Sequence, residues 1–165
     1  MPECRAVTAS GDTDAMRRVE AEALVGASRA EVWALYDDIP GTPRWVPFVE
    51  EILYVSGPAD VGTVYRERTR LGMVRSVGQW EIVEHDRPRW TQVHVSSGMG
   101  LDSRRTISLE KRGTGTLVRQ VSEIRSRLSV PLSWFHELLV AAVAEGGVRG
   151  AVAGAKRAFE GDRPR

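Results

Sequence analysis

Val19, Ala21, Ala23 and Val25 alternate with Arg18, Glu20 and Glu22, the period of a half-buried strand, so Met16–Val25 is predicted to open the fold as an edge strand. The period then lengthens. Ala30, Val32, Trp33, Leu35 and Tyr36 group on one side at helical spacing, and Ser28 with Glu31 three residues on has the form of a capping box. Pro40 disfavours helical geometry at Ile39, so the helix stops there and a Trp/Pro-rich corner carries the chain into an alternating strand, Val49–Ser56. Gly57, Pro58, Ala59 and Asp60 close that strand.

Five further segments rich in β-branched and aromatic residues follow directly: Thr63–Leu71, Met73–Glu84, Arg89–Ser97, Leu101–Glu110 and Thr116–Arg127. Gly72, Asp86 to Pro88, Gly98 to Gly100 and Gly113 to Gly115 separate them at hairpin distances. From Pro131 the pattern becomes that of a long helix, apolar almost all round in its first half and interrupted by Gly146, Gly147, Gly150 and Gly154. Each interior glycine costs about 1 kcal/mol of helix stability relative to alanine. Close packing, room for a ligand or a bend near Gly146 would each offset that cost.

One strand, a short helical region, six consecutive strands and a terminal helix make an α+β domain, with a curved antiparallel sheet of about seven strands wrapped around the helix. The space between sheet and helix is a natural small-molecule pocket. A chain of 165 residues, 42% of them hydrophobic, can bury one core without disulfides. Residues 1–15 and 161–165 read as polar tails around a single domain over 16–160. The formal charge of +1 gives no field that favours nucleic acid, and the one cysteine, Cys4, offers neither an intrachain disulfide nor a zinc spacing. The opening residues lack the basic start and apolar run of a secretory signal, and no later run reaches membrane-spanning length. The expectation is a cytoplasmic monomer or homodimer without membrane insertion.

The stretches ASRAEVWALYDDIPGTPRWVPFVEEI, SGPADVGTVYRER and WEIVEHDRPRW, in that element order, resemble the START and polyketide cyclase/dehydrase superfamily (SRPBCC) with its helix-grip fold. The resemblance spans roughly Arg17 to Glu160. It rests on Val32 and Trp33, on Trp45 and Val46, on Gly62 to Tyr65 and on the Pro88 to Trp90 hairpin, motifs that specify fold far better than activity. It implies a cavity that holds a hydrophobic ligand, aromatic polyketide-like or lipid-like. It also implies a second reading, a cofactor-independent cyclase, aromatase or dehydratase guided by inward Arg, Glu or Tyr residues.

Trp45 and Phe48 would cover one mouth of such a cavity, where flat aromatic faces either stack on a planar ligand or plug the helix–sheet joint. Val74, Ser76, Gly78, Trp80 and Ile82 share one strand face, taken as inward, with room at Gly78 beside the Trp80 indole. Tyr65 and Glu67 share the face opposite Arg66, Arg68 and Arg70. Three arginines are easier to solvate than to bury, which turns Tyr65 and Glu67 inward. A buried Glu67 could serve as general acid or base, whereas a one-residue bulge would put it at the surface beside an arginine. Arg105 and Arg119 each stand on a largely apolar strand face. Either anchors a ligand oxygen, with Glu123 as counter-ion, or pairs across the outer surface. Val93, Val95, Phe135 and Leu139 complete the expected lining, with His94 alternating away from the two valines. His85, His94 and His136 show no metal-ligand spacing, and no phosphate-cradling loop is present, so neither metal nor cofactor is expected.

Overall fold

The chain follows the predicted order of elements: β1 (Arg17–Val25), α1 (Arg29–Asp37), a 3-10 helix (Ile39–Arg44), β2 (Val49–Val55), β3 (Val64–Leu71), β4 (Val74–Asp86), β5 (Thr91–Gly98), β6 (Leu101–Arg112), β7 (Gly115–Ser126) and α2 (Ser133–Glu160). This is a computed structural model that describes residues 17–98, 101–126 and 133–161, with the backbone alone described at 71, 74, 98, 126 and 133–143. The seven strands form one antiparallel sheet in the order β1-β7-β6-β5-β4-β3-β2. Consecutive strands from β2 to β7 are neighbours, and only β1 crosses the sheet to pair with β7. The sheet is curved around the terminal helix, which is the helix-grip fold.

Local chemistry accounts for the turns. Ser28 caps α1 as a complete box: its Oγ accepts from the Glu31 N–H at 3.3 Å, and its own N–H donates to the Glu31 carboxylate at 2.8 Å. Val32, Trp33 and Tyr36 are the buried face of α1, and Pro40 converts the chain to 3-10 geometry with Asp38 receiving the Gly41 N–H at 3.1 Å. The β6–β7 hairpin is tighter than its sequence suggests, because Arg112 pairs with Gly115 and leaves Gly113 (φ 58°) and Thr114 as a two-residue turn. β5 begins later than expected, since Trp90 occupies left-handed backbone (φ 56°) in a turn before Thr91. There its ring meets Trp33 edge-on at 5.5 Å.

Helix α2 packs on β1 and β7, with Ala144, Val148 and Val152 against Val19 and Ala21. Its glycines serve close packing. A methyl group at Gly154 would overlap the Trp45 carbonyl oxygen, and one at Gly147 or Gly150 would lie 3.7 or 3.6 Å from the Phe48 ring, whereas Gly146 has open space around it. The corner 45–48 therefore sits in a groove that glycines cut into the helix surface. Among the described residues no helix is long and apolar enough to cross a membrane.

Candidate functional site

β3 pairs with β4 from Val64 to Leu71 without a register shift, so alternation along β3 is unbroken and Tyr65 and Glu67 both face the helix side of the sheet. Arg68 and Arg70 point the other way, to Glu51 and Glu50. Trp80 and Ile82 of β4, Gln92 and His94 of β5, Arg105 and Ile107 of β6 and Gln120 of β7 share the inner face. The buried polar side chains are unusually many for so small a volume: Tyr65, Glu67 and His94 are 3–4% exposed and Gln92 is 1% exposed.

They are joined to one another. The Trp80 indole N–H donates to Glu67 at 2.8 Å, and the Arg105 guanidinium lies over the Trp80 ring, 4.4 Å from its centroid. Arg105 Nη2 donates to the Tyr65 hydroxyl, which meets His94 Nδ1 at 3.2 Å. His94 Nε2 meets Gln92 Oε1 at 3.3 Å, and Gln92 Nε2 donates to Asp37 Oδ1 at 2.8 Å. Asp37, the last residue of α1, also receives His85 Nε2 at 2.8 Å.

Of these groups Tyr65, Glu67, His94 and Arg105 border a cavity closed by Tyr36, by Thr42 of the 3-10 helix, by Trp45 and Val46 in the corner and by Ala151 of α2. Its free volume is about 30 Å³, room for about one water. Three buried donors around it have no acceptor among the described residues: the Tyr36 hydroxyl, Trp45 Nε1 and Arg105 Nε. An unmet buried polar group costs about 1–3 kcal/mol, so this end of the cavity favours any content that brings an acceptor.

Burial governs the electrostatics. It raises the Glu67 carboxyl above its ordinary range, against the pull of Arg105 and the Trp80 hydrogen bond. It likewise raises the Tyr36 and Tyr65 hydroxyls, against Arg105. His94 falls well below the usual imidazole value through burial first, then the charges of Arg105 and His85. Burial works against the Arg105 charge, but Tyr65, Glu67 and Tyr36 together overcome it and raise its pKa.

A stability profile follows from these shifts. Folded His94 binds a proton less tightly than the same imidazole in the unfolded chain, so its contribution is present above pH 6.5 and is lost as pH falls through its depressed folded value. Glu67 has the opposite sign: its folded form holds the proton more tightly, so stability is lost as pH rises from 4.5 through the raised folded value. Urea unfolding of His94→Gln should lack the wild-type loss below pH 6.5, a slope of up to about 1.4 kcal/mol per pH unit for one proton. The Glu67→Gln variant should lack the loss on the alkaline side. Superimposable profiles for wild type and His94→Gln would contradict this assignment.

The sequence profile of the family described as polyketide cyclase/dehydrase and lipid transport matches residues 16–160, nearly the whole described chain. The chain belongs to this family. No curated protein matches its sequence. Among solved structures it is similar to the Zhui aromatase/cyclase from Streptomyces sp. R1128 (15% identity, TM-score 0.76, covering 88% of this chain and 94% of that one). It is also similar to norcoclaurine synthase from Thalictrum flavum in complex with dopamine and hydroxybenzaldehyde (15%, 0.69, 96% and 97%). A third similar structure is a START superfamily protein from Mycobacterium smegmatis (13%, 0.67, 87% and 97%). At these identities the likeness is one of fold.

The family member described here brings some of the predicted site residues together and separates others. Glu67, Arg105, Tyr65 and Trp45 meet at the cavity, and Trp80 forms the wall behind Glu67 and Arg105. Phe48 faces the α2 glycines and is packing for the corner. Arg119 is on the outer face, bonded to Glu20 at 2.8 Å and near Glu22, and Glu123 shares that face, 4.0 Å from Arg18. Their strand buries Thr116, Val118 and Gln120 instead, so the apolar neighbours Leu117 and Val121 belong to its outer side. On β5 the expected parity is reversed as well. Gln92 and His94 turn inward, and Val93 and Val95 occupy the opposite face. The polar pair tolerates burial because each member has a hydrogen-bond partner. Phe135, Leu139 and His136 lie on the backbone-only part of α2, outside the described side chains.

Sequence reasoning missed Asp37, Gln92 and the role of Tyr36. The spacing of Gln92 and His94, two apart on one strand, was a legible signal; Asp37 had none, since its partner Gln92 is 55 residues away. Among the described residues no group of His, Cys, Asp and Glu is placed to hold a metal ion.

Proposed function

We propose that the cavity binds an apolar, aromatic or lipid-like molecule by an oxygen-bearing end, with Arg105 as the anchor of that oxygen. The observation that carries this reading is the convergence on one cavity with aromatic walls of three buried donors, Tyr36 Oη, Trp45 Nε1 and Arg105 Nε, that have no partner among the described residues. A carbonyl, enolate or carboxylate oxygen supplies the missing acceptor, and the indole of Trp45 offers a flat apolar surface beside it. Any such molecule exceeds the present free volume, so its binding requires the cavity walls to move apart.

A second reading, acid–base catalysis on the bound molecule, is favoured by Glu67. This carboxyl is held toward its protonated form next to a guanidinium that would stabilise an enolate. In that reading Glu67 exchanges a proton with carbon or oxygen of the substrate while Arg105 holds the developing negative charge, and no cofactor takes part. Native mass spectrometry of the purified protein, followed by tryptophan fluorescence titration with 2-naphthoate and with naphthalene, tests the binding reading. Saturable binding of 2-naphthoate, tighter than naphthalene, is expected. No binding of either probe and no retained small molecule would overturn it. Deuterium exchange at C2 of 2-acetyl-1-tetralone tests the catalytic reading: the wild type should accelerate it and Glu67→Gln should not.

A further inference from the structure

The hydrogen bonds that run from Arg105 to Asp37 have only one consistent set of proton positions. At one end a guanidinium can only donate, and at the other the Asp37 carboxylate accepts from both Gln92 Nε2 and His85 Nε2, each at 2.8 Å. Were the Gln92 amide reversed, its oxygen would sit against the Asp37 oxygen, two acceptors with no proton between them. The amide oxygen therefore faces His94, so His94 Nε2 carries the proton and donates across 3.3 Å. Nδ1 is then the bare nitrogen and accepts the Tyr65 hydroxyl proton across 3.2 Å. The Tyr65 oxygen in turn accepts from Arg105 Nη2.

We propose that Asp37 and Gln92 are positioning residues for the cavity: they fix His94 as the Nε2–H tautomer, so that Tyr65 and Arg105 are held with the Arg105 Nε–H left open to a ligand oxygen. The inference rests on the reading of Arg105 as ligand anchor. An amide in the middle of the chain passes no proton onward, so the arrangement orients rather than conducts. Tyr65, with its proton committed to His94, receives Arg105 through its lone pair and ties down one arm of the fork. Gln92 and His94 are almost fully enclosed, so bulk solvent does not compete for these bonds. Asp37 itself is half-buried at the rim, where it joins the chain to His85, whose ring is tilted against Trp33 with centroids 4.8 Å apart.

Long-range proton–nitrogen NMR of the full chain labelled with ¹⁵N-histidine reads the tautomer without any ligand, and the spectrum of His94→Gln assigns the His94 signals. The wild type should show His94 with Nε2 protonated and Nδ1 bare. Gln92→Leu, which leaves the Asp37–His85 pair in place, and Asp37→Ala should shift His94 toward a tautomer mixture and weaken 2-naphthoate binding several-fold. Asp37→Asn, which keeps a carbonyl oxygen for Gln92, should restore both. If Gln92→Leu fails to fold, Asp37→Ala at the rim decides the question. A wild-type His94 protonated at Nδ1, an unchanged tautomer in Asp37→Ala, or an altered tautomer with unchanged 2-naphthoate affinity would each overturn the proposal. Failure of the wild type to bind 2-naphthoate would instead strike at Arg105 as anchor, and the tautomer readout would still stand or fall by itself.

Discussion

Gly154→Ala should lower the melting temperature by about 2–12 °C, while Gly146→Ala, two turns earlier on the same helix, should leave it unchanged or raise it slightly. At Gly154 the added methyl meets the Trp45 carbonyl, a backbone atom held by the 3-10 helix and unable to swing aside as a side chain would. Either α2 lifts away from the corner or the corner moves outward, and both loosen Val46, Val49 and Ala151 from their shared cluster. Overpacking of this kind costs about 1–3 kcal/mol, more where backbone must shift, and each kcal/mol moves the midpoint of a domain this size by about 2–4 °C. Gly146 is exposed with nothing nearby, so there the gain in helix propensity, up to about 1 kcal/mol, acts alone. Thermal unfolding by circular dichroism of the two variants checks the contrast. Equal effects would mean that the helix and corner are not in register as described.

The second large effect is expected at Arg105. Arg105→Met keeps the length of the side chain and much of its contact with Trp80 but removes every donor. Hydrogen bonds to charged groups contribute about 1.5–3 kcal/mol, so 2-naphthoate affinity should fall about 10- to 150-fold while naphthalene affinity changes little. Arg105→Lys restores charge but not the planar fork that spans Tyr65 and the cavity, and should recover only part of the loss. Equal losses for both probes would point to collapse of the cavity rather than loss of an anchor. The removal of Arg105 should also raise Glu67 and Tyr65 further, since its charge is what opposes their burial.

The order of elements was legible because each carried its own period: two for the strands, 3.6 for α1, with Ser28, Pro40 and the hairpin glycines as punctuation. The inward turn of Tyr65 and Glu67 was legible too, because three arginines on the alternate positions left one inexpensive solution and β3 has no bulge. The same rule failed on β5. There it favoured turning Val93 and Val95 toward the cavity, whereas Gln92 and His94 face that side because Asp37 and Tyr65 satisfy them, and those partners lie far away in sequence. Arg105 and Arg119 were indistinguishable by local pattern. What separates them is the partner strand: Arg119 lies beside β1, whose outer face supplies Glu20 and Glu22, while Arg105 lies beside β5, whose inner face supplies His94.

The crossing of β1 to β7 has a consequence for the order in which the fold is assembled. Arg17 pairs with Ile124 and Val25 with Thr116, so the first strand waits for the last one, whereas β2 to β7 can zip as successive hairpins. During synthesis the meander β2 to β7 is complete before its N-terminal edge has a place to dock on a finished neighbour. Docking of β1 is then the long-range, loop-closing step, and it completes the surface on which α2 rests, Val19 and Ala21 included. The cavity is thus among the last parts of the molecule to come into being.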